Sequence, residues 1–306
     1  TPLWSYQTGS NVRSVAISAD GKYITAGSVD NRVYLFDKDS GTPLWSYTTG
    51  DDVRSVAISA DGEYIAAGSR SNKVYLFEKD SNTPLWTYTT SDGVRTVAIS
   101  ADGEYIAAGT EDYKIYLFAK DSSTPLWNYT TEGEVWSVAI SANGEHIAAV
   151  SFDGDQKVYL FDKDSSTPLW SYYTGSSMLS VAISADGEYI TAGSWSGKVY
   201  LFGKNSNTPL WSHDANGEDY DGRIMSIAIS ANGEYITATC DDKVYLFDKD
   251  SSTPLWNYAT GDNVYTVTIS ANGEYIVAGG DNRVYLFDKA QLHAAMELFH
   301  RERCVV

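Results

Sequence analysis

The chain has 306 residues, enough to bury a substantial core. Its formal charge is −18, with 43% hydrophobic and 13% aromatic residues, a balance that argues against nonspecific binding to nucleic acid or to an anionic membrane surface. The two cysteines, Cys240 and Cys304, lie far apart and outside any metal-spaced pair, so no disulfide framework is indicated. Cys240 ends a predicted strand and reads as a small buried apolar residue. No apolar run approaches the length of a bilayer span, and no secretory signal opens the chain, which begins inside a repeat. Such acidity suits a salty setting, and the expected localisation leans towards the outside of a cell or its surface. A solvated acidic surface is the plainer reading of the same charge.

Self-similarity dominates. The string TPLW begins at Thr1, Thr42, Thr83, Thr124, Thr167, Thr208 and Thr253, at spacings of 41 to 45 residues. The string SADG or SANG ends at Gly21, Gly62, Gly103, Gly144, Gly187, Gly233 and Gly273. A third, ending in YLF, closes at Phe36, Phe77, Phe118, Phe161, Phe202, Phe247 and Phe287. A period of this length marks a repeat architecture.

In chain order, each repeat predicts four short strands. In the first full repeat these are VRSVAIS, KYITAG, RVYLFD and LWSYTT, here lettered A to D. Ala-Asp-Gly between A and B is a tight hairpin turn, because Asx and Gly tolerate positive φ. Asp37 to Gly41 turns C into D, and Pro43 opens D, where a missing N–H is tolerable at a sheet edge. Four antiparallel strands repeated seven times predict an all-β, seven-bladed β-propeller over residues 1–289. A solenoid fits less well, since nothing helical recurs. The chain starts with a lone strand D and ends its last repeat after strand C. Residues 1–9 are therefore expected to complete blade 7 and close the ring, which removes a free sheet edge. From Ala290 to Val306 the pattern breaks, and Leu292, Met296 and Phe299 fall at helical spacing, predicting a short C-terminal helix. That tail is expected to pack on the propeller; it could instead dock a partner chain or be an added extension.

The A–B half, such as VRSVAISADGEYIAAGS, resembles the WD-repeat family. The C–D half, LFDKDSGTPLW from Leu35 to Trp45, resembles the tryptophan-docking, PQQ-like repeat of quinoprotein dehydrogenases, with Asp37, Ser40, Gly41 and Trp45 on the matching positions. The resemblance implies the propeller fold over residues 1–289. The Gly-His and Trp-Asp dipeptides of WD repeats are absent, and no recognisable quinone site accompanies the structural Trp. Dehydrogenase activity therefore does not carry over, and fold alone does not imply function.

Trp4, Trp45, Trp86, Trp127, Trp170, Trp211 and Trp256 recur once per repeat and are expected to pack each outer strand against a neighbouring blade rather than stack a ligand. The Asp-x-Asp-Ser turns at Asp37/Asp39 and Asp162/Asp164 resemble the start of a calcium loop. The later bidentate acid is missing, and blade 5 has Gly203 and Asn205 there, so a capped turn is expected. His146 and His213 each replace a repeat Tyr, while His293 and His300 lie in the tail. No nucleophile–base order, paired-acid geometry, metal-ligand spacing or phosphate loop emerges. No catalytic residue, metal, quinone, flavin or other cofactor is expected. One sequon, Asn128-Tyr129-Thr130, matters only in a glycosylating secretory route.

Strand reversal puts the D–A and B–C loops on one face and the A–B and C–D turns on the other. The A–B turns are nearly constant, while every length change falls in the first set, around Phe152 to Gln156 and within His213 to Gly222. Tyr113, Phe152 and Trp195 are loop aromatics there. The second residue of strand A lies near that mouth of the channel and reads Arg13, Arg54, Arg95, Trp136, Leu179, Met225 and Tyr265. Arg, Trp and Tyr are enriched at binding hot spots. The expected function is a non-enzymatic scaffold binding a protein, peptide or glycan surface, with a ligand part acidic and part apolar. On the plainer reading the arginines merely neutralise Asp51, Asp52 and Asp92. The alternatives are an enzyme with a site over the channel mouth, or a recently amplified or designed repeat array without an evolved ligand. A monomer is expected, with no nucleic-acid partner and no membrane span; the tail could mediate association.

Overall fold

The protein is described by a computed structural model over residues 2–216, 222–281 and 283–290, so the expected C-terminal helix falls, from residue 291 on, outside the described residues. The strands form seven antiparallel sheets in chain order, six of four strands and the last of three. In the first sheet, strand A is Val12–Ile17, B is Tyr23–Ser28, C is Arg32–Asp37 and D is Trp45–Thr48. The ladder joins A to B, B to C and C to D, and the later sheets repeat that order. The fold is a seven-bladed β-propeller. Among the described residues no helix is long and apolar enough to cross a membrane.

The chain divides into two compact units, Thr1–Asp155 with Tyr159–Leu169, and Gln156–Val158 with Trp170–Val306. In the first, the A strands Val12–Ile17, Val53–Ile58, Val94–Ile99 and Val135–Ile140 lie each beside the next. In the second, Met178–Ile183, Ile224–Ile229 and Val264–Ile269 do the same. Strand C carries the run Val-Tyr-Leu-Phe because both of its faces are covered. In blade 2 Val74, Tyr75, Leu76 and Phe77 are all buried, whereas strand A is fully buried only at Val53 and Val56.

Three contacts join successive blades within a unit. The Trp opening each strand D reaches the next blade: Trp45 packs on Phe77 at 5.2 Å and donates its indole N–H to the Lys79 carbonyl at 2.7 Å. Trp86 does so with Phe118 and Lys120, Trp127 with Phe161 and Lys163, Trp170 with Phe202 and Lys204, and Trp211 with Phe247 and Lys249. Trp256 is buried with its indole N–H unpaired among the described residues. The second contact is the A–B turn. Gly62 sits at φ 76°, and a Cβ there would come within 2.5 Å of Tyr23 in the preceding blade. Positive φ and close approach both demand glycine. The third is a hydroxyl bridge between A strands: Val56 N–H donates to Ser14 Oγ at 3.1 Å, and Val97 N–H to Ser55 Oγ at 3.1 Å.

The C–D turns that open with aspartate are capped by it, as in the Asp39 N–H to Asp37 Oδ1 bond of 2.9 Å and the same bonds at Asp162 and Asp248. His213 takes the place of the repeat Tyr, edge-on to Phe247 at 5.0 Å, and burial holds its pKa below the ordinary value. A folded-state pKa below the unfolded one means that the unfolded chain binds the extra proton. His213 therefore contributes no penalty above about pH 6.5 and an increasing one as pH falls below it. His213→Tyr should reduce the loss of melting temperature between pH 7.5 and pH 5. An unchanged difference between the two pH values would contradict this assignment.

Residues 2–9 carry no strand assignment, yet they meet blade 1 as the D strands of Trp45, Trp86, Trp127, Trp170 and Trp211 meet their next blades. Trp4 stacks on Phe36 at 5.3 Å and donates to the Lys38 carbonyl at 2.7 Å. Val284 and Leu286 of the last strand C are 78% and 69% exposed, while their counterparts Val33 and Leu35 are at 0%. We propose, from the register of the repeats, that residues 1–9 supply the fourth strand of that last sheet. Deleting them should cause a large drop in melting temperature or aggregation. A truncated protein that melts within about a degree or two of the parent would sink the closure proposal.

Candidate functional site

The loops that end strands B and D meet at one end of each blade. The Thr closing strand D pins them: Thr49 N–H and Oγ1–H both donate to the Asn31 carbonyl, and Oγ1–H also reaches the Asp51 carbonyl at 2.7 Å. Thr90, Thr131, Thr174 and Thr260 repeat the staple. The A–B and C–D turns meet at the opposite end, where Lys38 N–H donates to the Lys22 carbonyl.

Beside the staple, strand A is bulged in every blade. In blade 2 Val53 pairs with Ser69 and Ser55 with Gly68, leaving Arg54 out of the ladder. The same shift skips Arg13, Arg95, Trp136, Leu179, Met225 and Tyr265. A bulge re-aims the extra side chain and recurs beside functional sites. The seven variable positions read from the repeat comparison are thus the seven bulged residues. The bulge itself is a matter of register and is not legible in side-chain type.

In the first unit three of the four bulged residues, Arg54, Arg95 and Trp136, form one cluster. Arg95 donates to Glu134 at 3.0 Å, lies 3.4 Å from Glu111, and stacks on the Trp136 ring at 4.1 Å. Trp136 donates its indole N–H to the same Glu134 oxygen at 3.1 Å and lies flat on Phe152, with centroids 4.1 Å apart. Arg54 is 3.8 Å from Glu111, and burial lowers its pKa. The acids within ion-pair distance of Arg54 and Arg95 are therefore Glu111 and Glu134, from the loops, while Asp52 acts on Arg54 only from farther away. Arg13 is exposed. Tyr113 stands in the left-handed region at φ 66° and is 46% exposed, an unusual conformation for a bulky residue.

In the second unit Leu179 is 7% exposed and so lines the interior rather than the surface. Met225, Tyr265 and the loop residue Trp195 are exposed at 38%, 50% and 38%. Arg223 lies over the Trp195 ring at 3.5 Å. Sequence comparison missed Arg223, whose signal is its position directly after the inserted loop. Residues 217–221 of that loop lie outside the described residues. Gly222 anchors its end: a Cβ there would fall 2.6 Å from Cys240 Sγ and 2.9 Å from Asp241. Burial raises the Cys240 thiol to about 12, so it stays protonated. Among the described residues no three His, Cys, Asp or Glu side chains converge as a metal site would require.

The Glu111 network is mostly shielded from solvent, so its loss should be felt. Glu111→Ala should lower stability by roughly 1 kcal/mol in urea unfolding. Glu104→Ala, which removes an exposed partner of Lys120, should cost less. Equal costs for the two variants would show that the arginine cluster contributes no more than a surface pair.

The chain matches the profile of the family described as outer membrane protein assembly factor BamB, over residues 1–101, 29–134, 74–204 and 196–299. No curated protein matches it significantly. The overlapping matches follow the blades described above, and the chain belongs to this family of β-propellers built from PQQ-like repeats.

Proposed function

We propose that the protein is a non-enzymatic interaction scaffold that binds an extended peptide segment of another protein on the face formed by its D–A and B–C loops. The observation that carries this reading is the row of bulges. One position per blade is lifted out of an otherwise near-constant repeat, and it carries Arg, Trp, Leu, Met or Tyr. These side chains suit recognition. None of them is a poised acid, base or nucleophile at neutral pH. The matched family is named for outer membrane protein assembly, which supports a role in holding proteins. The Glu111 and Glu134 pairing leaves Arg54 and Arg95 balanced in charge, so the exposed Met225, Tyr265 and Trp195 are the stronger candidates for contact.

A peptide library displayed on phage and panned on the immobilised protein should yield ligands. Those ligands should lose at least tenfold in affinity for Met225→Ser/Tyr265→Ser and keep their affinity for Asp80→Ala/Asp121→Ala on the opposite face. The melting temperature of both variants should stay close to that of the parent. Loss of binding only in the second variant would place the ligand on the other face.

A further inference from the structure

Arg223, Met225, Asp241, Asn263, Val264 and Tyr265 line a cavity of about 280 Å³ in the second unit. That size suits one or two side chains and is small for a drug-sized ligand. Arg223 differs from the two paired arginines of the first unit. Arg54 and Arg95 are each held by a carboxylate, whereas Arg223 forms no ion pair among the described residues and rests on an aromatic ring. Such a stack orients the guanidinium and leaves its N–H edge available for an anion. Its position is built in, because Gly222 is pressed against Cys240 and Asp241 with no room for a side chain. Asp241 stands in the left-handed region at φ 50° at the tip of the facing B–C turn.

We infer that this cavity receives the carboxylate of a single acidic side chain of the bound peptide on Arg223, with a neighbouring apolar residue against Met225 and Tyr265. The inference rests on the peptide-binding reading above and names the chemistry of the residue that is read. Asp241 and Asn263 offer an acceptor and an amide to the peptide backbone on either side. Asp241 opposes any anion bound on Arg223, but it opposes a phosphate, which carries up to about −2 charge at neutral pH, more strongly than a carboxylate of single charge. A carboxylate matches one guanidinium in charge and can pair with it in a bidentate manner.

The test uses the full chain at about 0.15 M salt, where long-range repulsion from the acidic surface is screened beyond about 8 Å. Three fluorescein-labelled acetylated peptides, Gly-Leu-Glu-Tyr-Gly and its Gln and phosphoserine counterparts at the central position, are titrated by anisotropy. The glutamate peptide should bind at least tenfold more tightly than either counterpart. Arg223→Gln should erase that preference, Arg223→Lys should keep part of it, and Glu104→Gln on the opposite face should leave it unchanged. Equal binding of the Glu and Gln peptides, tighter binding of the phosphopeptide, or a preference that survives Arg223→Gln would overturn the inference. If library-selected peptides still bind through Met225 and Tyr265 in that event, the face stands and only the carboxylate assignment falls. If none of the three peptides binds while selected peptides do, the assignment falls in the same way.

Discussion

Everything in this protein depends on one contact repeated from blade to blade, the indole that leaves strand D and closes on the next strand C. In blade 1 the Trp45 ring covers Phe77 and its N–H satisfies the Lys79 carbonyl, so one side chain supplies apolar burial and a hydrogen bond together. An aromatic pair of this kind adds about 0.5–1.5 kcal/mol beyond its burial, and the bond about 1 kcal/mol. A Pro two residues earlier opens strand D without needing a ladder partner for its nitrogen. The glycine turn under Tyr23 and the Ser14 bridge bring the inner edges of the same two blades together. A single blade of about 40 residues buries little core of its own, and these three contacts are how each blade shares a core with its neighbour.

That arrangement separates what must stay constant from what can vary. Val, Tyr, Leu and Phe of strand C, the turn glycine and the D-strand Trp are each committed to a neighbour. The bulged residue of strand A is committed to nothing in the ladder. Arg95, Trp136, Met225 and Tyr265 can differ in charge and shape at the same backbone position because the bulge absorbs the difference. The Thr staple holds the adjoining loops whether they are short, as at Asn31, or lengthened, as at Gln156. A rigid scaffold with one adjustable residue and two adjustable loops per blade is suited to recognition.

The blades were legible because their signals are local. TPLW, SADG and YLF fall at fixed spacing, and each has a physical meaning within a few residues of itself. The face carrying the variable loops followed from strand reversal alone, and the Thr49–Asn31 contact lies where that argument puts it. The partners of the arginines were not legible. Asp51, Asp52 and Asp92 are near in sequence, but Glu111 reaches Arg54 from the B–C loop of the next blade and Arg95 from that of its own, and Glu134 reaches Arg95 from the loop entering the blade after it. Leu179 looked like a surface contact because its position carries Arg or Trp elsewhere; its burial reflects the local packing of its blade. Arg223 escaped because its counterparts directly before strand A, Asp52, Gly93, Glu134 and Asn263, share no side-chain type that would mark the position.

The indole contact can be measured directly by following hydrogen exchange of the tryptophan side-chain N–H groups by NMR. If the junction carries the fold, the indole protons of Trp45, Trp86, Trp127, Trp170 and Trp211 exchange only as fast as the protein unfolds globally, with the same denaturant dependence as the slowest strand C amides. Exchange of those five protons through local opening, orders of magnitude faster than that of the strand C amides, would contradict the account.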